Sequence, residues 1–232
     1  YTVFIVADTE YTPDDVTPTV PVEVDGDGSS QMATEQRLAA LGFVDAGGDL
    51  LEPDAAGDPS ATEALRLFQS VLDDSGNDTP STASGTIDAS TANWLNSETA
   101  PQWKQLTSPA PSDTDASYGS SWLVDTIHAA DIALGGSAYS VTSLSNIDGT
   151  STADDLDAAY PGRQHQAGME AEFVTPVDSA TLNQQVQELV TQAVSHGDIQ
   201  LTRVWLATDT DAAWVTSLDS ELDDSVTVST DA

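Results

Sequence analysis

Chemistry in this chain must come from imidazoles, carboxylates and hydroxyls, because it contains no cysteine. That excludes disulfides, thiolate catalysis and Cys-ligated metal. The histidines are His128, His165 and His196, and one of them stands in a suggestive setting, Gly162-Arg163-Gln164-His165-Gln166-Ala167-Gly168-Met169-Glu170-Ala171-Glu172-Phe173. Here an imidazole leaves a loop, a glycine comes three residues later, and a strand pattern begins. Strand alternation puts Glu170 and Glu172 on one face and Met169, Ala171 and Phe173 on the other, so the acidic face is expected to border a cleft. A catalytic zinc would need three protein ligands, one open position for water and a general base near that water. The plainer reading of His165 is a loop histidine bonded to a nearby carboxylate, and that of Glu172 is a solvated acidic face. His196 falls in the last turn of an expected helix, where the macrodipole favours a cation. His128 reads as a surface or boundary residue.

The elements that would position these groups fall into two sets. Tyr1 to Val6 is β-prone, and Val20, Val22 and Val24 alternate with Pro21, Glu23 and Asp25 in an edge-strand pattern. Met32, Leu38 and Leu41, with Gly42 where a left-handed cap belongs, predict a helix of about ten residues. Ala61, Ala64, Leu65, Phe68, Val71 and Leu72 lie on one face of a second helix. Asp88 is the expected N-cap of a third, which carries Trp94 and Leu95. Residues 99–118 are rich in Pro, Ser and Asp and read as a linker or long loop. A second module comes next in the order α, β, β, α, β, α, β, with a helical stripe at Leu123, Ile127, Ala130 and Leu134 and another from Leu182 to Val194. Its strands are expected over 139–145, 169–175, 201–207 and 226–229. The predicted class is α+β: an N-terminal three-helix bundle domain, then a domain with a small, mainly antiparallel sheet and helices. The expected division is a β segment over 1–29, a helical domain over 30–98, a linker over 99–118 and an α+β domain over 119–232. The five tryptophans, Trp94, Trp103, Trp122, Trp205 and Trp214, have mixed spacing and are expected in cores or between domains.

The charge balance narrows the setting. Against 39 acidic residues stand 5 basic ones, a formal net charge of −34 over 232 residues with 39% hydrophobic residues. A folded protein with no possible basic patch does not bind nucleic acid. The acids are spread along the chain, and a surface of this kind repels itself until molar salt shortens the Debye length to about 3 Å. A single lysine among so many carboxylates is the composition of a halophile, a haloarchaeon or its virus. No apolar run reaches the ~20 residues of a membrane span, and Tyr1 to Asp8 lack the basic flank of a signal peptide. No stretch has EF-hand spacing.

Two groups of residues carry family resemblances. Leu38-Ala39-Ala40-Leu41-Gly42-Phe43, then Ala64-Leu65-Arg66-Leu67-Phe68-Gln69, then Gly85-Thr86-Ile87-Asp88-Ala89-Ser90-Thr91 together resemble the peptidoglycan-binding-like three-helix domain over about 65 residues. In that reading Phe68 fills the core, Gly85 makes a turn, and Asp88 or Thr91 caps the last helix. The segment around His165 resembles the His-x-x-Gly-x-x-x-Asp motif of zinc peptidases related to murein endopeptidases and D-alanyl-D-alanine carboxypeptidases. The resemblance implies that His165 and Glu172 stand at ligand positions, Glu172 replacing Asp, with Gly168 letting the turn pass near the metal. The family's last strand carries His-x-His, and the corresponding positions are Ser225 and Thr227, whose neutral hydroxyls are poor zinc ligands.

The expectation is therefore a catalytically inactive, peptidase-like binding or structural protein of an extracellular, cell-surface or virion assembly, with protein or glycan partners and no resident cofactor. The alternative is a zinc peptidase acting on envelope or peptide cross-links through His165, Glu172 and a substituted third ligand. The charge alone generates a test. As sodium chloride falls from molar to tenths molar, circular dichroism should report loosening or loss of the fold, and an unchanged spectrum and melting temperature would refute the halophilic reading.

Overall fold

The computed structural model describes residues 2–9, 24, 31–53, 59–74, 83–149, 168–174, 178–197, 199–206 and 227–230. Among these the class is α+β. Chain order is β1 (Thr2–Thr9), α1 (Gln31–Ala40), α2 (Pro59–Asp74), α3 (Ala89–Asn96), β2 (Trp103–Gln105), β3 (Tyr118–Ser120), α4 (Ser121–Ala133), β4 (Val141–Ser143), β5 (Glu170–Val174), α5 (Ser179–Gly197), β6 (Ile199–Leu206) and β7 (Thr227–Thr230). The main sheet runs β4-β5-β1-β6-β7, and β2 pairs with β3 in a separate ribbon. All pairings of the main sheet are antiparallel except the parallel β6–β7 edge. The edge-strand pattern expected over Val20 to Val24 lies outside the described residues apart from Val24, as does Trp214.

The helices begin and end where side-chain chemistry predicts. Asp88 caps α3 by accepting from the Thr91 amide at 2.8 Å. Asp178 caps α5 through the Thr181 amide and hydroxyl, both at 2.9 Å, and those bonds hold its carboxyl below the usual range. Gly42 takes φ +88° after α1, and a Cβ there would stand 2.4 Å from the Trp103 carbonyl oxygen. The same glycine thus stops the helix and admits β2, whose Trp103 amide donates to the Leu41 carbonyl at 2.8 Å.

Two buried clusters hold the chain together. Leu38 of α1, Phe68 and Val71 of α2, and Trp94 and Leu95 of α3 meet in the first, with Phe43, Trp103, Trp122 and Met169. Phe43 packs edge-on against Phe68 and stacks with Trp103 at centroid distances of 5.5 and 5.9 Å. In the second, Leu123 and Ile127 of α4 and Leu182, Val186 and Leu189 of α5 cover Val141, Ala171 and Phe173 of the sheet. The helical stripes read from periodicity are the packed faces except at their ends, where Met32 and Val194 are exposed.

Two segments sit otherwise than their composition suggests. Residues 99–118, expected as a linker or long loop, hold β2 and the start of β3 and bury Trp103, Leu106 and Ala116. The β-prone start of the chain, expected as a separate segment over 1–29, is the middle strand of the sheet, paired on both sides. Local composition describes polarity, whereas strand pairing is fixed by partners far along the chain.

The α4-to-β4 connection carries a buried polar network. Gly135 and Gly136 take φ +104° and +82°, and Asp131, buried, accepts through Oδ1 from the amides of Ala138 (2.8 Å) and Tyr139 (3.3 Å). The Tyr139 hydroxyl donates to the Gln185 carbonyl at 2.6 Å. Burial first, then the carboxylates of Glu188 and Asp131, push the phenol well above its ordinary range. Because the fold favours the neutral phenol, its contribution is complete below the unfolded pKa near 10 and is lost as pH rises beyond it. Tyr139→Phe should cost about 1 kcal/mol at neutral pH, a fall of roughly 2–4 °C in melting temperature, and should flatten the alkaline decline of stability. Equal alkaline slopes for both proteins would contradict this assignment.

Candidate functional site

The motif strand is built on a close backbone contact. Gly168 takes φ +61°, and a Cβ there would stand 2.5 Å from Gly119 Cα and 2.6 Å from the Trp103 ring. The Gly168 carbonyl accepts from the Ser120 amide at 3.0 Å, and the Ser120 hydroxyl, whose oxygen also caps α4, lies 2.9 Å from Met169 Sδ. Trp103 is fixed in turn by its indole N–H, which donates to the Ile147 carbonyl at 2.7 Å. The glycine of the motif therefore serves to seat the entry of β5 against β3 and an indole, a packing role visible without any ligand.

From there β5 alternates as expected: Ala171 and Phe173 point into the second cluster, and Met169, just before the strand, is buried in the first. Of the carboxylates, Glu170 is buried, with 3% of its surface exposed, while Glu172 is half-buried and accepts from the Ser143 hydroxyl at 3.1 Å. The acidic face is thus more enclosed at Glu170 than an open cleft margin would be. His165 and Ser225 lie outside the described residues.

Thr227 is the first residue of β7, paired with Arg203 of β6. Arg203 pairs with Val6, and Val6 with Glu170, so Thr227 shares the register row of Glu170, whereas the row of Glu172 runs through Phe4 and Trp205 to Ser229. Strands β1 and β6 intervene between β5 and β7, and three inter-strand steps of about 4.8 Å put roughly 14 Å between the two backbones. A zinc bound at about 2 Å by each ligand is not shared across that interval by Glu172 and residue 227. Among the described residues no group of three or more His, Asp or Glu side chains is placed to hold a metal ion.

Of the other histidines, His128 agrees with its plainer reading. His128 is exposed on α4, with Nδ1 2.6 Å from the Ser108 carbonyl oxygen. His196 falls at the C-terminal end of α5. Trp94, Trp103 and Trp122 are buried in the first cluster, Trp94 and Trp122 packing edge-on at 5.9 Å.

The helical motif also resolves into bonds. Buried Gln69 accepts from the Gly85 amide at 2.8 Å through Oε1, and its Nε2 donates to the Thr86 carbonyl at 2.8 Å and the Thr91 hydroxyl at 3.2 Å. One side chain thus ties α2 to the turn before α3. Gly85 takes φ +71°, with Thr62 Cγ2 2.6 Å from where a Cβ would be. Beside this turn Thr34 of α1, Thr62 and Leu65 of α2, and Ile87 line a groove of about 340 Å³. An adjoining hollow of about 560 Å³ is bordered by Glu35, Asp45, Asp49 and Glu52. Motif spacing does not single out this acidic group, although Asp45-Ala46-Gly47-Gly48-Asp49 marks it in the sequence. In the fold Asp45 Oδ1 accepts from the Gly47 and Asp49 amides at 2.8 and 2.9 Å, so that carboxylate closes its own turn.

Arg37, Arg66 and Lys104 are engaged within the chain. Arg37, whose pKa burial lowers, donates to the carbonyls of Leu95 (2.5 Å) and Ser97 (3.0 Å) at the end of α3, Arg66 pairs with Glu63 at 2.5 Å, and Lys104 with Asp125 at 2.5 Å. Among the described residues no helix is long and apolar enough to cross a membrane. No family model, curated protein or solved structure matches this chain.

The close contact at Gly168 yields a mutational test. Gly168→Ala combines a left-handed backbone with a clash against backbone and ring, and should cost about 3 kcal/mol or more, roughly 6–12 °C in melting temperature. Gly135→Ala, where nothing lies within 4 Å, should cost only its conformational strain. Equal losses for the two variants would show that the Gly119–Trp103 contact is not what Gly168 serves.

Proposed function

We propose that this chain is a catalytically inactive, peptidase-like binding or structural protein of a halophilic extracellular or virion assembly. The observation that carries the reading is the separation of the motif strand from the last strand. Glu172 accepts a hydroxyl from Ser143, and residue 227 begins a strand beyond β1 and β6. With Ser225 and Thr227 at the positions where the resemblance implies imidazoles, Glu172 gains no ligand from that direction. Gly168 is needed for packing whether or not metal is bound, which explains how the motif outlasts the chemistry.

The N-terminal helices serve this reading as a three-helix, peptidoglycan-binding-like unit whose motif residues are structural. The Gln69 bonds to Gly85, Thr86 and Thr91 account for the Phe-Gln pair and the Gly-to-Thr spacing by folding alone. The groove beside Gly85 is the place for a protein or glycan partner. A net charge of −34, with Arg37, Arg66 and Lys104 committed to internal partners, favours partners that neither carry phosphate nor need a cationic dock. In this reading nucleic acid is excluded.

Elemental analysis of the native protein after dialysis in molar salt decides between this function and a zinc peptidase. Well under one zinc per chain is expected, and His165→Ala should melt as the wild type does, since no metal binding energy is coupled to its folding. Stoichiometric zinc that disappears in His165→Ala would overturn the proposal.

A further inference from the structure

We propose that the groove beside Gly85 and the acidic hollow next to it form one docking site, taken by a segment of a protein partner that bears an aliphatic side chain close to a lysine or arginine. The inference deepens the binding reading above and rests on it for the existence of a partner. Glu35 and Ala61 border both depressions, which are therefore continuous. The groove is shaped by fixed backbone: Gly85 takes φ +71° and its amide donates to Gln69 of α2, so the turn that makes one wall is pinned to the helix that makes the other. The hollow is shaped likewise, since Asp45 closes the turn before Asp49 and Val44 bridges to Leu50.

The lining chooses between a protein and a glycan. A sugar ring packs its C–H face best against the electron-rich face of an aromatic ring, and among the described residues no aromatic side chain lines either part. Leu65, Ile87 and Ala61 offer the groove methyl groups instead, which suit an aliphatic side chain. The hollow asks for a cation. Asp49 and Glu52 present exposed carboxylates there, and no basic residue is among its described lining. Arg66, whose Nε lies 3.1 Å from where a Gly85 Cβ would stand, is paired with Glu63. On the same rim is Leu50, 74% exposed and the most exposed large apolar side chain among the described residues. Lysine and arginine meet both demands, because their methylene stems cover apolar surface while the charged head reaches a carboxylate. A solvent cation meets only one. In molar salt a Debye length of about 3 Å leaves only charges in contact effective, so the net charge of the chain does not select the partner, whereas carboxylates beside Leu50 do.

Methyl NMR of the full chain in molar sodium chloride tests it, with three probes: the peptides acetyl-Leu-Lys-Lys-amide and acetyl-Leu-Glu-Glu-amide, and the trisaccharide of N-acetylglucosamine. The lysine peptide should shift the methyl signals of Ala61, Leu65 and Ile87 saturably, with a Kd on the order of millimolar. The glutamate peptide should bind about fivefold more weakly or worse, since contact attraction is exchanged for repulsion. The sugar should leave those methyls in place. Two surface variants separate the contributions without touching a core. Asp49→Lys with Glu52→Lys should abolish the preference for lysine over glutamate, and Leu50→Ser should weaken the lysine peptide about threefold, the loss of part of one exposed apolar contact. Equal affinity for the two peptides, a preference that survives the double variant, no shift at these methyls up to about ten times the expected Kd, or shifts produced by the sugar would overturn the inference. The zinc content of the native protein is unaffected by any of these outcomes, so failure here is distinguishable from failure of the inactive-peptidase reading.

Discussion

One strand makes the sheet a single object. β1 satisfies β5 on one side and β6 on the other, and no other described strand pairs with both. Backbone amides and carbonyls buried in a sheet must be paired, so the placement of Thr2–Thr9 decides whether α4 and α5 have one continuous surface to cover. The chain accordingly begins in the sheet, crosses to the helical core at Val24, and returns to complete the sheet after residue 118. The helical and sheet portions are thereby folded by each other, and neither coincides with an uninterrupted stretch of sequence.

A second constraint lies where the two cores meet. Trp103 stacks on Phe43, bonds its indole to the Ile147 carbonyl and presses its ring against Gly168, while Gly119 lies against the same glycine. Side chains larger than hydrogen at 168 do not fit. The residue that would mark a metal-binding turn in a peptidase is, in this fold, demanded by packing, and its presence in the sequence is explained before any ligand is invoked. That places the burden of function on the carboxylates, and Glu172 and Ser143 already satisfy one another.

The legible parts of the sequence were those governed by neighbours. Helical periodicity marked most of the faces that pack, Gly42 marked a left-handed stop, and Asp88 marked the first turn it caps. Gln69 was recognisable as part of a motif, although only its three bonds explain it. What stayed illegible depended on distant partners: the β-prone start gave no sign that it would be central, and Trp103, set among Pro, Ser and Asp, gave no sign that its stretch would enter a core. For the candidate site, the alternation of Glu170 and Glu172 was readable, but the burial of Glu170 and the two strands between β5 and β7 were not. Neither can be deduced from spacing along one strand, because both are set by which strand lies beside it.

That β1 is the shared middle of the sheet can be tested by hydrogen–deuterium exchange of the native protein in molar salt. Amides in the middle of β1, around Phe4 to Val6, should be protected to the same degree as those of β5 and β6, and all three should exchange together as denaturant is added, since their bonds open as one unit. Rapid exchange of the β1 amides while those of β5 and β6 stay protected would contradict that placement.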